Sequence, residues 1–195
     1  MRLRRPSARS ALRVAGIVVV IAAAAAVWQN LPTQTDILGP FDVHGEVGAA
    51  TTGRGVTATV TGVRVTPKVN SVQPSGIWVV VDTTLEGTRT TEVPHSELIV
   101  GPNTYRPTDL FLVETLGAVV NPGIAQRGAW VFDVAPALMS PARSEPLTLR
   151  VWVGDGRLDS RLVIRIPAGD FRISRPESVT VERPRESAEN GESAS

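Results

Sequence analysis

The sequence predicts an all-β protein, an antiparallel β-sandwich preceded by one N-terminal transmembrane helix. An uncharged apolar run follows a group of arginines near the N-terminus, which is the pattern of a membrane-inserted segment. Most of the remaining chain alternates apolar and polar residues with the two-residue period of strands. Glycine and proline separate these segments without any alternation of strand and helix patterns, which favours two antiparallel sheets packed face to face.

The N-terminal apolar run contains no charged residue before Asp36. Its strongly apolar part, residues 14–28, is short for a bilayer, but extension to Pro32 reaches the ~20 residues that a spanning helix needs. Five arginines and no acidic residue precede the run, so the positive-inside rule places the N-terminus in the cytoplasm. We therefore expect a basic flank at 1–13, a single-pass signal-anchor at 14–32 in the cell membrane, and an extracytoplasmic C-terminal domain.

A cleaved signal peptide is the alternative, and it has the same orientation. The alanines of residues 22–26 provide the small-x-small pattern of a cleavage site. Val27 and Trp28 continue the apolar run, however, and Trp28 lies where an interfacial aromatic residue would hold the outer end of a helix. We expect the anchor to be retained; cleavage would make the protein a secreted one.

Composition limits the setting and the partners. The chain has no cysteine, so an exported domain would be held together by its core and not by disulfides. Beyond residue 13 the chain has fifteen basic and nineteen acidic residues, which disfavours nucleic acid as a partner because that function calls for basic patches. Only Lys68 among the twenty basic residues is a lysine, a bias that indicates a high-GC, actinobacterial genome.

Breaker residues and composition divide the chain after the anchor. Residues 33–40 predict a linker, because proline and glycine residues border them. Residues 41–170 have the length of one domain. Residues 171–195 are rich in Pro, Glu, Ser and Arg, and we expect them to be disordered because they have little to bury. Within this tail Val179 and Val181 are candidates for a short edge strand.

The first long strand pattern, "GVTATVTGVRV", alternates valine and alanine with threonine until Gly62, where the alternation shifts by one residue. A glycine at such a shift predicts a β-bulge. "GIWVVVDTTLEG" and "RGAWVFDVAP" are apolar on both faces in part of their length, which predicts central strands that are covered on each side.

The end of the domain predicts a hairpin. Residues 147–153 and 158–166 alternate regularly, and a Gly154-Asp155-Gly156 turn separates them. A helical turn is expected only at "TDLFLVETLG", where Thr108 or Asp109 would cap it. About seven short strands of this kind favour a sandwich of the immunoglobulin-like type.

Several of these segments carry a resemblance to a known family. The order "GVTATVTGVRV", "GIWVVVDTTLEG", "SELIVGPNTYRP", "VVNPGIAQRGAWVFDVAP" and "LTLRVWV" resembles the immunoglobulin-like domains of the DUF4352 type, which are related in fold to the secreted mycobacterial antigen of the MPT63 type. The resemblance covers roughly residues 41–167 and includes the Pro122-Gly123 turn. It implies an immunoglobulin-like fold and no established catalytic residues.

Two short motifs contain residue types that serve as metal ligands or catalysts. Asp42, His44 and Glu46 alternate, so an extended strand would project all three from one face, where they could bind a metal ion. The simpler interpretation is a solvated face of an edge strand, and we expect no metal or other cofactor. The segment 95–97 (His-Ser-Glu) contains the residue types of a catalytic triad, but adjacent strand residues point to opposite faces.

The remaining candidates are Trp78, Trp130 and Trp152, which could stack on a sugar or a lipid. Aromatic residues on strands more often belong to the core, and we expect core positions for all three. We therefore predict no catalytic residues and no enzyme. The sequence favours a membrane-tethered extracytoplasmic module that binds a protein partner or acts as an accessory subunit in the cell envelope. The alternative is a secreted or tethered carrier or sensor of an apolar ligand such as a lipid.

Overall fold

A computed structural model of the chain describes residues 8–29, 39–140, 145–157 and 159–188. The chain divides into two compact units, residues 1–39 and 40–195. Residues 1–7 of the predicted basic flank, 30–32 of the predicted anchor and 33–38 of the predicted linker lie outside the described residues. Residues 141–144, Leu158 and residues 189–195 lie outside them as well.

The first unit contains one helix, α1 (Ala8–Gln29). From residue 16 onwards its side chains are exposed, and they include Ile17 at 60% and Trp28 at 79%. Within the described part of the chain, no helix combines the length and the apolar character that crossing a membrane requires.

The second unit is mostly β-structure, and its described residues form two sheets. Sheet I has the strand order β1-β9-β8-β5-β6, and sheet II has the order β10-β3-β4-β7-β11 with β2 paired to β3. The strands are β1 (Phe41–Glu46), β2 (Thr51–Thr52), β3 (Val56–Thr66), β4 (Ile77–Gly87), β5 (Pro94–Val100), β6 (Asn103–Tyr105), β7 (Ile124–Val134), β8 (Leu147–Val153), β9 (Ser160–Ile166), β10 (Ile173–Ser174) and β11 (Arg185–Ala188). Short 3₁₀ helices cover Asp109–Phe111 and Pro136–Leu138.

Most of the sequence-based predictions for these strands are confirmed. The β3–β4 register shifts between Val60 and Gly62, which is the predicted bulge. Strand β4 lies between β3 and β7 at the centre of sheet II. Strands β8 and β9 pair as the expected antiparallel hairpin, and Gly154 and Gly156 adopt positive φ angles of 60° and 70° in its turn, a conformation that glycine tolerates best. The Thr108 side chain caps the 3₁₀ helix by accepting from the Leu110 amide.

The main core lies between the two sheets. Alternate residues of β4 and β7 point into it, among them Val79, Val81, Trp130 and Phe132, and each has no more than 2% of its surface exposed. Sheet I contributes the inward residues of β5, β8 and β9. The strand period therefore produces the two-layer packing, because every second side chain of each strand faces the opposite sheet.

The prediction of a wholly antiparallel sandwich is wrong at two sheet edges. Strand β1 pairs with β9 in parallel, and β10 pairs with β3 in parallel. Each of these two strands is separated from its partner by a long stretch of chain. Parallel pairing is possible there because no tight hairpin, which would force an antiparallel direction, connects the two strands.

The prediction of a disordered tail from residue 171 is also wrong for residues 171–188. Val179 and Val181 are buried at 6% and 4% exposure on the outer face of sheet II. They join a second apolar cluster that consists of Val69, Trp78, Val80, Phe111, Ala129 and Val131. The tail is ordered because two valines cover an apolar patch that the sheet would otherwise expose.

Residues 175–188, which we term the C-terminal strap, also form hydrogen bonds with Asn70. The Asn70 side-chain amide donates to the Val181 carbonyl oxygen at 3.1 Å and accepts from the Val181 amide at 2.8 Å. Its backbone amide donates to the Val179 oxygen at 3.0 Å. Strand β11 then pairs with β7 in the antiparallel sense, so the strap is attached at both ends of its course over the sheet.

Candidate functional site

A polar row crosses the outer face of sheet II beside the strap. The strand registers place Thr59 opposite Thr84, Thr84 opposite Arg127, and Arg127 opposite Arg185. These four residues come from β3, β4, β7 and β11. Directly opposed side chains in antiparallel pairs have Cβ atoms about 5 Å apart, so the row presents two hydroxyls and two guanidinium groups side by side.

This row is one wall of a cleft of about 730 Å³. The lining also includes Arg64 and Asp82 of the sheet and four further strap residues, Thr180, Val181, Glu182 and Arg183. The lining contains four arginines and two carboxylates, a net charge of +2. Because the chain beyond residue 13 has four more acidic than basic residues, the cleft is a local reversal of the domain's charge.

Asp82 is a carboxyl group in the cleft whose pKa differs from the ordinary value of an aspartate. Arg64 donates to both of its carboxylate oxygens, from Nε at 2.8 Å and from Nη2 at 2.5 Å. Burial raises the pKa of Asp82 above its ordinary value, even though the hydrogen bonds and charge of Arg64 act to lower it. A shifted pKa in a cleft is a feature that functional sites share with structural ion pairs.

The raised pKa predicts how stability depends on pH. The folded chain holds the Asp82 proton more tightly than the unfolded chain, so this group contributes stability at low pH and loses it as pH rises through the raised pKa. The difference in melting temperature between the wild type and Asp82→Asn (wild type minus variant) should therefore become smaller as pH rises above the ordinary pKa of an aspartate, about 4. Thermal unfolding at a series of pH values measures this difference. The Arg64→Met variant should move this decrease to higher pH, because Arg64 lowers this pKa; a difference that grows with pH would contradict the prediction.

Asp42, His44 and Glu46 are exposed on edge strand β1, on the solvated face that the sequence allowed. Asp42 is paired with Arg161, whose Nε donates to Oδ1 at 2.8 Å. No group of three or more potential metal ligands comes together within the residues that the structure describes.

His95, Ser96 and Glu97 lie on β5, and they do not assemble as a triad. Ser96 is buried, whereas His95 is exposed and stacks on Trp152 with ring centroids 5.7 Å apart. These residues line a second cleft of about 450 Å³ together with Arg106. The Ser96 hydroxyl has no hydrogen-bond partner among the described residues.

Two of the three tryptophans occupy the predicted core positions. Trp130 lies in the main core, and Trp78 lies under the strap, where it packs edge-on against Phe111 at 5.6 Å. The core assignment is wrong for Trp152, which is half-buried on the outer face of sheet I. Its alternation with the buried Val151 and Val153 placed it on that face.

Comparison with known proteins finds no match to this chain among protein-family models, curated proteins or solved structures. The structure itself describes a two-sheet β-protein with an arginine- and threonine-lined cleft beside a C-terminal strap.

No local pattern in the sequence indicates the cleft. The threonines of β3 form one polar face in the sequence pattern, but Arg127 lies at the start of a strand predicted to be central, and Arg183 and Arg185 lie in the tail predicted to be disordered. The one available signal was Val179 and Val181, whose spacing suggested that the tail adds to a sheet edge.

Proposed function

We propose that this protein is a non-enzymatic, extracytoplasmic immunoglobulin-like module, tethered to the cell membrane by its N-terminal segment, that binds a protein partner in the cell envelope. The observation that carries this proposal is the strap-bordered cleft with its net charge of +2 on an otherwise acidic domain. A charged cleft on a rigid sheet favours recognition of a complementary surface, because opposite charge both steers and orients a partner.

The chemistry of the cleft supports binding over catalysis. Its described lining contains arginine, threonine and two carboxylates, but no histidine, cysteine or lysine. Of the two carboxylates, Asp82 is held by Arg64 and Glu182 is exposed to solvent. Arginine stays protonated and threonine needs an adjacent base to act as a nucleophile, so these groups are suited to holding a ligand.

The packing of the main core supports a partner-binding module over an apolar carrier. Most core residues of both sheets are wholly buried, including Val60, Val81, Leu98 and Leu149 at 0% exposure. A carrier between the sheets would need these side chains to separate, at the cost of contacts that close-packed interiors depend on.

The proposed tether rests on the sequence pattern, an uncharged apolar run that follows five arginines. Apolar side chains such as Val18, Val19 and Ile21 are exposed along helix α1, which a lipid environment would cover.

Photocrosslinking in the native membrane tests both parts of the proposal. A photoreactive amino acid replaces Thr59 in the cleft, and a control replaces Thr148 on the outer face of sheet I. The uncleaved chain should fractionate with the cytoplasmic membrane, and position 59 should give an adduct of one defined mass that position 148 does not give. A mature N-terminus near Val27 would contradict the tether. Equal adducts at both positions, or none at position 59, would contradict the cleft as the partner surface.

A further inference from the structure

We propose that the cleft recognises an acidic segment of the partner by seating a carboxylate between Arg127 and Arg185. This inference rests on the proposed function and names the chemistry of the ligand. It follows from three features of the cleft: the opposition of two like charges, the hydroxyls beside them, and the size of the space.

The two arginines face each other across the β7–β11 pair. Like charges directly opposite each other destabilise a sheet, so the pairing costs free energy unless an anion lies between them. Among the described residues Arg127 forms no ion pair, and the contact of Arg185 with Glu182 involves side chains that are 80% and 65% exposed. Exposed pairs of this kind contribute little, so both guanidinium groups can bind an incoming anion.

The neighbours of Arg127 provide further donors. Thr84 lies next to it in register, and Thr59 lies next to Thr84. Both threonines are half-buried, and the residues that lie opposite them in the row are a threonine and an arginine. A carboxylate accepts bidentate hydrogen bonds from arginine and further bonds from hydroxyls, so the row matches the acceptors of one Asp or Glu side chain.

The size of the cleft favours a peptide over a lone ion. A volume of about 730 Å³ lies within the range of pockets that hold whole drug-sized ligands, about 300–1,000 Å³. A single carboxylate would fill only the part beside Arg127 and Arg185. The remaining space, whose lining includes Arg183 of the strap, is large enough for the backbone of an extended segment.

Fluorescence anisotropy with a labelled oligoglutamate peptide tests this inference on the purified full-length chain. The peptide should bind, and added salt should weaken the binding. Arg127→Gln and Arg185→Gln should each weaken it about tenfold, the effect of losing one hydrogen-bonded charged contact. Arg165→Gln is the matched control, because Arg165 is exposed on the outer face of sheet I and its loss removes the same charge.

Thermal unfolding distinguishes a binding role of Arg127 from a structural one. Removal of one of two opposed positive charges should leave the melting temperature unchanged or raise it. Weaker binding by a variant that melts in this way is then not caused by unfolding. An equal loss of binding in Arg165→Gln would show attraction by net charge alone and overturn the inference. Binding of inorganic phosphate without binding of the peptide would also overturn it, in favour of a phosphate-bearing ligand.

The two proposals fail in different ways. If position 59 still crosslinks one partner in the membrane while oligoglutamate does not bind, the partner-binding function stands and the acidic ligand is wrong. If oligoglutamate binds through Arg127 while no crosslinked partner appears, the anion chemistry stands and the proposed function is wrong.

Discussion

Trp130→Ala should destabilise the domain by about 3–5 kcal/mol, the range for truncation of a buried aromatic residue. Trp130 is 2% exposed, lies opposite Val81 in sheet II, and shares the core face of β7 with Phe132 and Val134. Its removal leaves a cavity between two sheets whose backbones are held by their ladders, so the surrounding side chains can only partly close it. For a domain of this size the loss corresponds to a fall in melting temperature of about 10 °C.

Trp152→Ala is the matched control for this prediction. Trp152 is half-buried on the outer face of sheet I, where its main aromatic contact is the His95 ring. Loss of such a pair costs about 1 kcal/mol. Thermal and denaturant unfolding of both variants makes the comparison. Similar losses for the two, or a loss below about 1 kcal/mol for Trp130→Ala, would contradict the core position of Trp130.

Val179→Asp should detach the C-terminal strap and cost about 3 kcal/mol of stability. A carboxylate cannot enter the apolar cluster around Trp78 and Val131 without a partner, since the penalty for burying an unpaired charge is several kcal/mol. The chain avoids this penalty by releasing the strap, so the loss cannot exceed what the strap contributes. Burial of the two strap valines, at roughly 1.5 kcal/mol each, gives the magnitude.

Because the loss of stability is limited to the contribution of the strap, two different changes should have the same effect. Truncation after Arg175 should lower the melting temperature by the same amount as Val179→Asp, and both variants should bind a fluorescent apolar dye at the uncovered patch. Glu182→Ala, which changes an exposed strap residue, should match the wild type. If Val179→Asp melts like the wild type and binds no dye, the strap does not cover Trp78 in solution.

The strands of the sandwich were largely predictable because their signals are local. Alternation in "GVTATVTGVRV" identified the buried face of β3, and Gly62 marked the bulge where that alternation shifts. The apolar character of both faces of residues 77–81 predicted a central strand, and β4 has that position. Each of these inferences needs only the residues of one segment, since strand geometry alone decides which side chains share a face.

The cleft was not predictable because it depends on pairings between distant segments. Arg127 and Arg185 are 58 positions apart in the chain, and only the β7–β11 register places them opposite each other. The composition of residues 171–195 predicts disorder because most of them are polar. Composition does not show that two valines in this segment pack against an apolar patch on the sheet. Trp152 was misplaced for a related reason: its burial depends on which face of sheet I meets sheet II.

The sequence by itself therefore determined the class of structure, the strand faces, the bulge and the terminal hairpin, since each follows from local periodicity and turn chemistry. Only the tertiary structure decided the parallel pairing of β1 and β10, the second apolar cluster under the strap, and the row from Thr59 to Arg185. The physical reason is that strand registers and sheet edges are set by the packing of the whole domain. A charged side chain can serve as a binding group only where the packing of the domain places suitable side chains beside it.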